Sequence, residues 1–220
     1  MAALRRHSAQ PFRHLNTGTY LMLKKPAEAA RDLHPIIRDR WSPRAFDANK
    51  PVPQDALISV LEAARWAASS NNVQPWRFIV ATSADAEAHA KALAGFNERN
   101  QRWAKNAPVL ITALYRKVND EGAPNGGSAF DLGAAVAQAV LQATALGLVV
   151  HQAGGIDKDK IRATYAIPDD TEVAVAFGLG YQAEETVLPD DLREREHAPR
   201  TRKDLSQFVF AGSYGTPAKL

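Results

Sequence analysis

The chain has 220 residues, 45% of them hydrophobic, which is enough to bury one sizeable core. Its 27 lysines and arginines nearly balance 24 acids, and the most basic stretch, REREHAPRTRK, is laced with glutamates, which argues against a nucleic-acid-binding surface. Cysteine is absent, so disulfides, thiolate metal sites and cysteine nucleophiles are excluded, as suits a cytoplasmic protein; no apolar run approaches the roughly 20 residues that span a bilayer.

Residues 1–34 show little periodicity and read as an N-terminal arm, with a short helix over Ala27 to Leu33. Its acid-free, arginine-bearing start is open to two readings, a targeting segment or a polar arm that packs on a partner or lies loose. Residues 35–220 read as a single domain. Leu57, Val60, Leu61, Ala64 and Ala68 recur at helical spacing, with Pro53 and Asp55 suited to a first turn. A buried strand over Phe78 to Ala81 follows, then helices over Ala84 to Leu93 and Arg99 to Lys105, then a strand over Pro108 to Tyr115. After the loop VNDEGAPNGG comes the longest helix, Ser128 to Leu146, with Ser128 and Asp131 at capping-box spacing and Gly147 as its stop. Beyond Asp131 its only polar residues are Gln138, Gln142 and Thr144, so the helix is apolar on nearly all sides and is expected to be central and buried. LVVHQ is a short strand, Asp157 caps another helix, EVAVAFGLGYQ is a last strand, and the chain from Glu184 reads as an irregular tail. Alternating helices and strands without repeat or linker predict one layered α/β or α+β domain.

Four stretches stand out chemically. In RDRWSPRAFD, Arg40, Ser42 and Arg44 alternate, and on an extended chain such residues face one side; they form a phosphate grip or a solvated edge. In SSNNVQPWRFIV, the carboxamides of Asn71, Asn72 and Gln74 suit a ring edge of alternating donors and acceptors, or simply cap a helix and satisfy a turn. In HQAGGID, Gly154 and Gly155 let backbone amides approach a ligand, or punctuate a turn. Gly178-x-Gly180 is followed by no helix and does not fit a dinucleotide fingerprint. In PRTRKDL, Arg200 and Arg202 are again two apart; only convergence with Arg40 on one phosphate would make them a site. P-loop, HExxH and Gly-x-Ser-x-Gly motifs are missing, as are histidines at metal-ligand spacing, so neither a catalytic side chain nor a metal site is expected. Hard chemistry, if any, would belong to a cofactor.

Taken together, RDRWSPRAFD, AARWAASSNNVQPWRFIV, NQRWAKNAPVLI, the Gly-Gly after ALGLVVHQA, and RTRKDLSQFVF resemble the FMN-dependent nitroreductase family, in order and spacing, from about residue 36 to 214. The resemblance implies an α+β fold, a mixed sheet flanked by helices, built as an intertwined homodimer with FMN at the interface. It implies that Arg40, Ser42 and Arg44 grip phosphate and ribityl, and that Ser69, Ser70 and Asn72 reach the flavin from the other subunit. Asn100, with Asn97 as a near competitor, would stand at the pyrimidine edge, and Gly154 and Gly155 would aim an amide at the flavin N5. Arg202, helped by Arg200, would complete the phosphate site. Ala68 stands where the family often has proline, so the loop is expected to be looser or reshaped. The implied activity is NAD(P)H-driven, ping-pong reduction of small nitroaromatic, quinone or related acceptors. The alternatives are a flavin-binding sensor without turnover and a relative with another outcome, such as dehalogenation, enone reduction or flavin fragmentation.

Overall fold

The computed structural model describes residues 22–219, so the expected arm falls largely outside them. The helix expected over Ala27 to Leu33 is absent. So short a run cannot nucleate alone, and Glu28 to Leu33 are exposed, with no surface to pack on. The first helix is instead α1 (Pro35–Asp39), begun by a proline and capped by His34, whose Nδ1 accepts the Ile36 N–H at 3.4 Å.

Next come α2 (Gln54–Arg65), β1 (Trp76–Thr82), α3 (Ala86–Leu93), α4 (Glu98–Ala104) and β2 (Val109–Arg116). They are followed by α5 (Ser128–Ala145), β3 (Val149–Ala153), α6 (Lys158–Tyr165) and β4 (Thr171–Gly180). These match the expected alternation. The tail expected to be irregular from Glu184 contains one more helix, α7 (Asp190–His197), started by Pro189 and with acids in its first turn and Arg195 and His197 in its last.

The four strands form one sheet in the order β1-β2-β4-β3, antiparallel at every pairing. The α+β architecture stands, but the mixed sheet is corrected: the crossover through α5 makes β3 run the same way as β2, but antiparallel β4 lies between them, so no two neighbouring strands are parallel. Central β2 sends alternate side chains into two cores. Val109, Ile111 and Ala113 pack with Val60 and Ala64 of α2 and with Val136 and Val140 of α5. Leu110 points the other way, to Phe46, Trp103 and Leu192.

Helix α5 buries Leu132, Ala135, Val136, Ala139, Val140 and Ala143 at helical spacing. Its other face is open in the single chain, where Gly133 and Ala137 are exposed and Phe130 is 82% exposed. The burial expected of this helix is met on one face within a single chain, because α2 and the sheet cover that side only. The capping box is corrected too. Gly127 is the N-cap, and the Asp131 carboxylate accepts the backbone N–H of Ser70 at 3.2 Å instead.

Gly178 and Gly180 are packing glycines. A Cβ on Gly180 would lie 2.5 Å from Pro108 Cδ, and one on Gly178 would lie 2.8 Å from Ala107 Cβ. Both neighbours are rigid, so Gly180→Ala is expected to cost about 2 kcal/mol of unfolding free energy. A urea titration checks this; an unshifted midpoint contradicts it.

Candidate functional site

The segment that follows α1 is held from both sides. On one side stands Glu196 of α7, only 1% exposed. Its Oε1 accepts the N–H groups of Arg44 at 2.6 Å and Ala45 at 3.2 Å, and its Oε2 meets Arg44 Nη1 at 3.2 Å. On the other side His151 of β3 is buried, with Nδ1 2.9 Å from the Ser42 carbonyl and 3.1 Å from that of Pro43. Both partners are acceptors, so Nδ1 carries the proton and donates. The ring packs on Trp103 with centroids 4.4 Å apart. Burial, reinforced by the nearby charge of Arg44, pulls the His151 pKa from 6.5 down to about 4.

Held this way, Arg40, Ser42 and Arg44 line a cleft of 320 Å³ with Lys25, Arg195, Arg200 and Arg202. The two arginine pairs, remote in sequence, converge. Arg40 Nη1 lies 3.4 Å from Ser42 Oγ. Burial, then the charges of Arg200 and Arg202, pull the Arg40 pKa below its ordinary value. Burial and Arg202 do the same to Arg200. Glu196 is committed to Arg44, so the cluster carries positive charge that no acid lining the cleft meets. A phosphate monoester, a dianion with oxygens for forked guanidinium donors, fits that donor set.

An adjoining cleft of 220 Å³ shares Arg44 and Arg195 and adds Asn97, Arg99, Asn100, Trp103 and Gly155. The Gly155 carbonyl accepts the Asn97 N–H at 3.1 Å and Asn100 Nδ2 at 3.0 Å. Asn100 Oδ1 accepts Trp103 Nε1 at 3.1 Å, so both ends of this carboxamide position the Gly155 turn. Asn97 spends only its oxygen, on the Asn100 N–H at 3.0 Å, and its Nδ2 has no acceptor among the described residues. A Cβ on Gly155 would lie 2.5 Å from that Nδ2 and 2.7 Å from Asn100 Nδ2, so glycine is required there. The N–H groups of Gly154 and Gly155 likewise have no backbone acceptor among the described residues.

Ser69, Ser70 and Asn72 are not brought to these clefts. They sit by the start of α5, where Asp131 holds the Ser70 N–H and Ser69 Oγ accepts the Gln74 N–H at 3.0 Å. Asn71, Asn72 and Gln74 adopt left-handed backbone with φ of 48°, 57° and 51°, a conformation asparagine tolerates best. The turn is thus tied down at Ser70 and Gln74. The arginines stand towards the other end of α5, where Arg40 and Trp41 share a cavity with Thr144 and Gly147. From Asp131 to Thr144 the helix rises about 20 Å.

Motif spacing marks the arginine pairs but not Lys25, Arg195, Glu196, His151 or the free amide of Asn97. The signal for Glu196 is its place four residues after Leu192, on one face of α7; both are buried.

Two consequences are testable. Glu196→Ala strips Arg44 and Ala45 of a buried acceptor and is expected to cost about 3 kcal/mol of stability in a urea titration; a wild-type midpoint contradicts it. His151 folds neutral with its pKa lowered from 6.5 to about 4, so its contribution is intact above pH 6.5 and is lost as pH falls towards 4. That loss is about 3 kcal/mol. His151→Asn should flatten this part of the stability–pH curve, and an unchanged slope contradicts the assignment.

A model of the nitroreductase family matches residues 37–181. A solved crystal structure described as the oxidoreductase containing FMN is 39% identical, with a TM-score of 0.80 over 86% of this chain and 96% of that one. An uncharacterised 15.4 kDa protein from the ask 5' region of Mycolicibacterium smegmatis is 32% identical over 64% of this chain and 99% of its own length. The major NAD(P)H-flavin oxidoreductase of Aliivibrio fischeri is 42% identical over 36% of this chain and 38% of its own. With the family match running from α1 through β4 and the fold shared at that level of likeness, the chain belongs to the nitroreductase family.

Proposed function

We propose that the protein is an FMN-dependent oxidoreductase that takes reducing equivalents from NAD(P)H and delivers them to a small acceptor such as a nitroaromatic or a quinone. One observation carries this reading: Arg40, Arg44, Arg200 and Arg202 converge with Ser42 on a single cleft whose lining contains no acidic residue. In the relatives, FMN appears in the description of the similar oxidoreductase, and NAD(P)H in the name of the Aliivibrio fischeri enzyme.

The four arginines would hold the FMN phosphate, with Ser42 as a hydroxyl donor beside it. Asn97 Nδ2 and the free N–H groups of Gly154 and Gly155 would face the ring, with Asn100 keeping the glycine turn in place. When bound, FMN supplies a two-electron carrier that takes hydride from the nicotinamide and yields it to the acceptor. Nicotinamide and acceptor would use the same exposed space in turn, a ping-pong order. The chain's own groups bind, orient and polarise; none is assigned as a catalytic acid or base.

Ser69, Ser70 and Asn72 would complete the site from a second copy, in a homodimer. The support is spatial: the loop and the arginines stand towards opposite ends of α5 in one chain. The loop end also carries exposed apolar surface, with Trp66 71% and Phe130 82% exposed. A two-fold pairing would bring each loop towards the partner's cleft and cover the open face of α5.

The purified protein is expected to be yellow, to release FMN on denaturation, and to bleach with NADPH or NADH until an acceptor restores the colour. A colourless protein that FMN does not reconstitute overturns the reading. Arg202→Ala should weaken FMN retention by about 1.5–3 kcal/mol, as for a charge-assisted contact; full flavin occupancy at low protein concentration contradicts the phosphate assignment.

A further inference from the structure

Lys25 lies outside the stretch that matches the family, twelve residues before it begins. Residues Leu23 to Ala27 nonetheless form a strap on the body of the protein. Gln182 Nε2 donates to the Leu23 carbonyl at 2.9 Å, and the Ala27 N–H donates to the Arg38 carbonyl at 2.7 Å. Between these ties, Lys25 Nζ donates to the carbonyls of Glu196 at 2.6 Å and Ala198 at 2.5 Å. Those carbonyls belong to the last turn and cap of α7, where the helix presents unpaired acceptors and the negative end of its dipole. The ammonium also stands 5.1 Å from the centroid of the Trp41 ring.

The strap and the arginine cluster hold each other. The Arg200 guanidinium donates to the Lys25 carbonyl and, at 3.3 Å, to that of Arg38. Strap and α1 segment together therefore set the direction of Arg200. Lys25 itself lines the cleft with Arg40, Ser42, Arg44 and Arg202. An ammonium has three N–H donors, and two are spent on α7. The third is left for a ligand oxygen.

We propose that Lys25 is a further cation of the phosphate site, delivered by the Leu23–Ala27 strap, so that docking of the strap and binding of a phosphate monoester reinforce each other. The proposal rests on the FMN reading above. Its physical basis is reciprocal. Burial, with the charges of Arg200 and Arg44, lowers the Lys25 pKa against the pull of Glu196, so the docked strap works against like charge until an anion arrives. The anion's gain from a docked Lys25 must equal the strap's gain from the anion. A strap that closes over the phosphate from outside the family-matched stretch would also slow cofactor loss.

The test compares the full-length wild type with Lys25→Met and Lys25→Arg, each titrated with FMN and with riboflavin, which has the ring but no phosphate. Amide hydrogen exchange is followed over residues 23–27. FMN, and not riboflavin, should slow exchange of the strap; Lys25→Met should lose roughly tenfold in FMN affinity at unchanged riboflavin affinity. Lys25→Arg should recover most of that loss. Tight FMN binding with a strap that exchanges equally with and without FMN, or an unaltered FMN-to-riboflavin ratio in Lys25→Met, overturns the role of Lys25 and leaves the FMN reading intact. Failure of the wild type to bind either flavin overturns the FMN reading, and the role of Lys25 with it.

Discussion

The Glu196 carboxylate, buried beneath the Arg44–Ala45 backbone, is the interaction on which the site depends. Removing a carboxylate from water is costly, and here two backbone N–H groups and a guanidinium offset that cost. The geometry this imposes is specific. Glu196 sits on α7, just ahead of Arg200 and Arg202, so fixing it against Arg44 sets the distance between arginine pairs some 160 residues apart. Because the carboxylate is spent on Arg44 and the neighbouring N–H groups, it gathers several cations while carrying only one negative charge against them. His151 is its counterpart on the other side. Kept neutral by burial, it donates to the Ser42 and Pro43 carbonyls and adds no further charge under the cluster.

The second constraint is the length of α5. Asp131, near its start, pins the strained Ser69–Gln74 turn; its far end lies by Arg40 and Trp41. A helix this long separates the two proposed halves of a flavin site, and the same helix leaves one apolar face open. Both facts point the same way. Pairing two copies would unite the halves and bury that face, so assembly and cofactor binding become one problem in packing.

Legibility in the sequence followed the physical origin of each feature. Helix α2, the core face of α5 and the central strand β2 were readable because apolar side chains repeat at the period of the element. Helix α7 was not, since its buried face consists of Leu192 and Glu196, and a glutamate reads as surface. The sheet's pairing direction depends on where each connection returns the chain, and composition does not mark that. For the site, Arg40, Arg44, Arg200 and Arg202 showed through their spacing of two. What draws them together did not, because Glu196 and His151 act largely on backbone atoms that carry no residue identity. Asn100 lines the adjoining cleft, but its bonds to the Gly155 carbonyl and Trp103 show only in three dimensions. The tie from the Ser70 N–H to Asp131, some sixty residues away, is likewise marked by no local spacing. Lys25 lies in a stretch without periodicity and is visible only in three dimensions.

The proposed site is divided between two copies, arginines from one and the Ser69–Asn72 loop from the other. Subunit mixing tests this most directly, using Arg202→Ala chains and Ser70→Glu chains, each flavin-poor alone. After dissociation and random re-pairing, half the dimers would hold one wild-type arginine cleft facing one wild-type loop, so about one FMN per four chains should return. If mixing restores no flavin although the two chains are shown to pair, each site lies within a single chain and the account is contradicted.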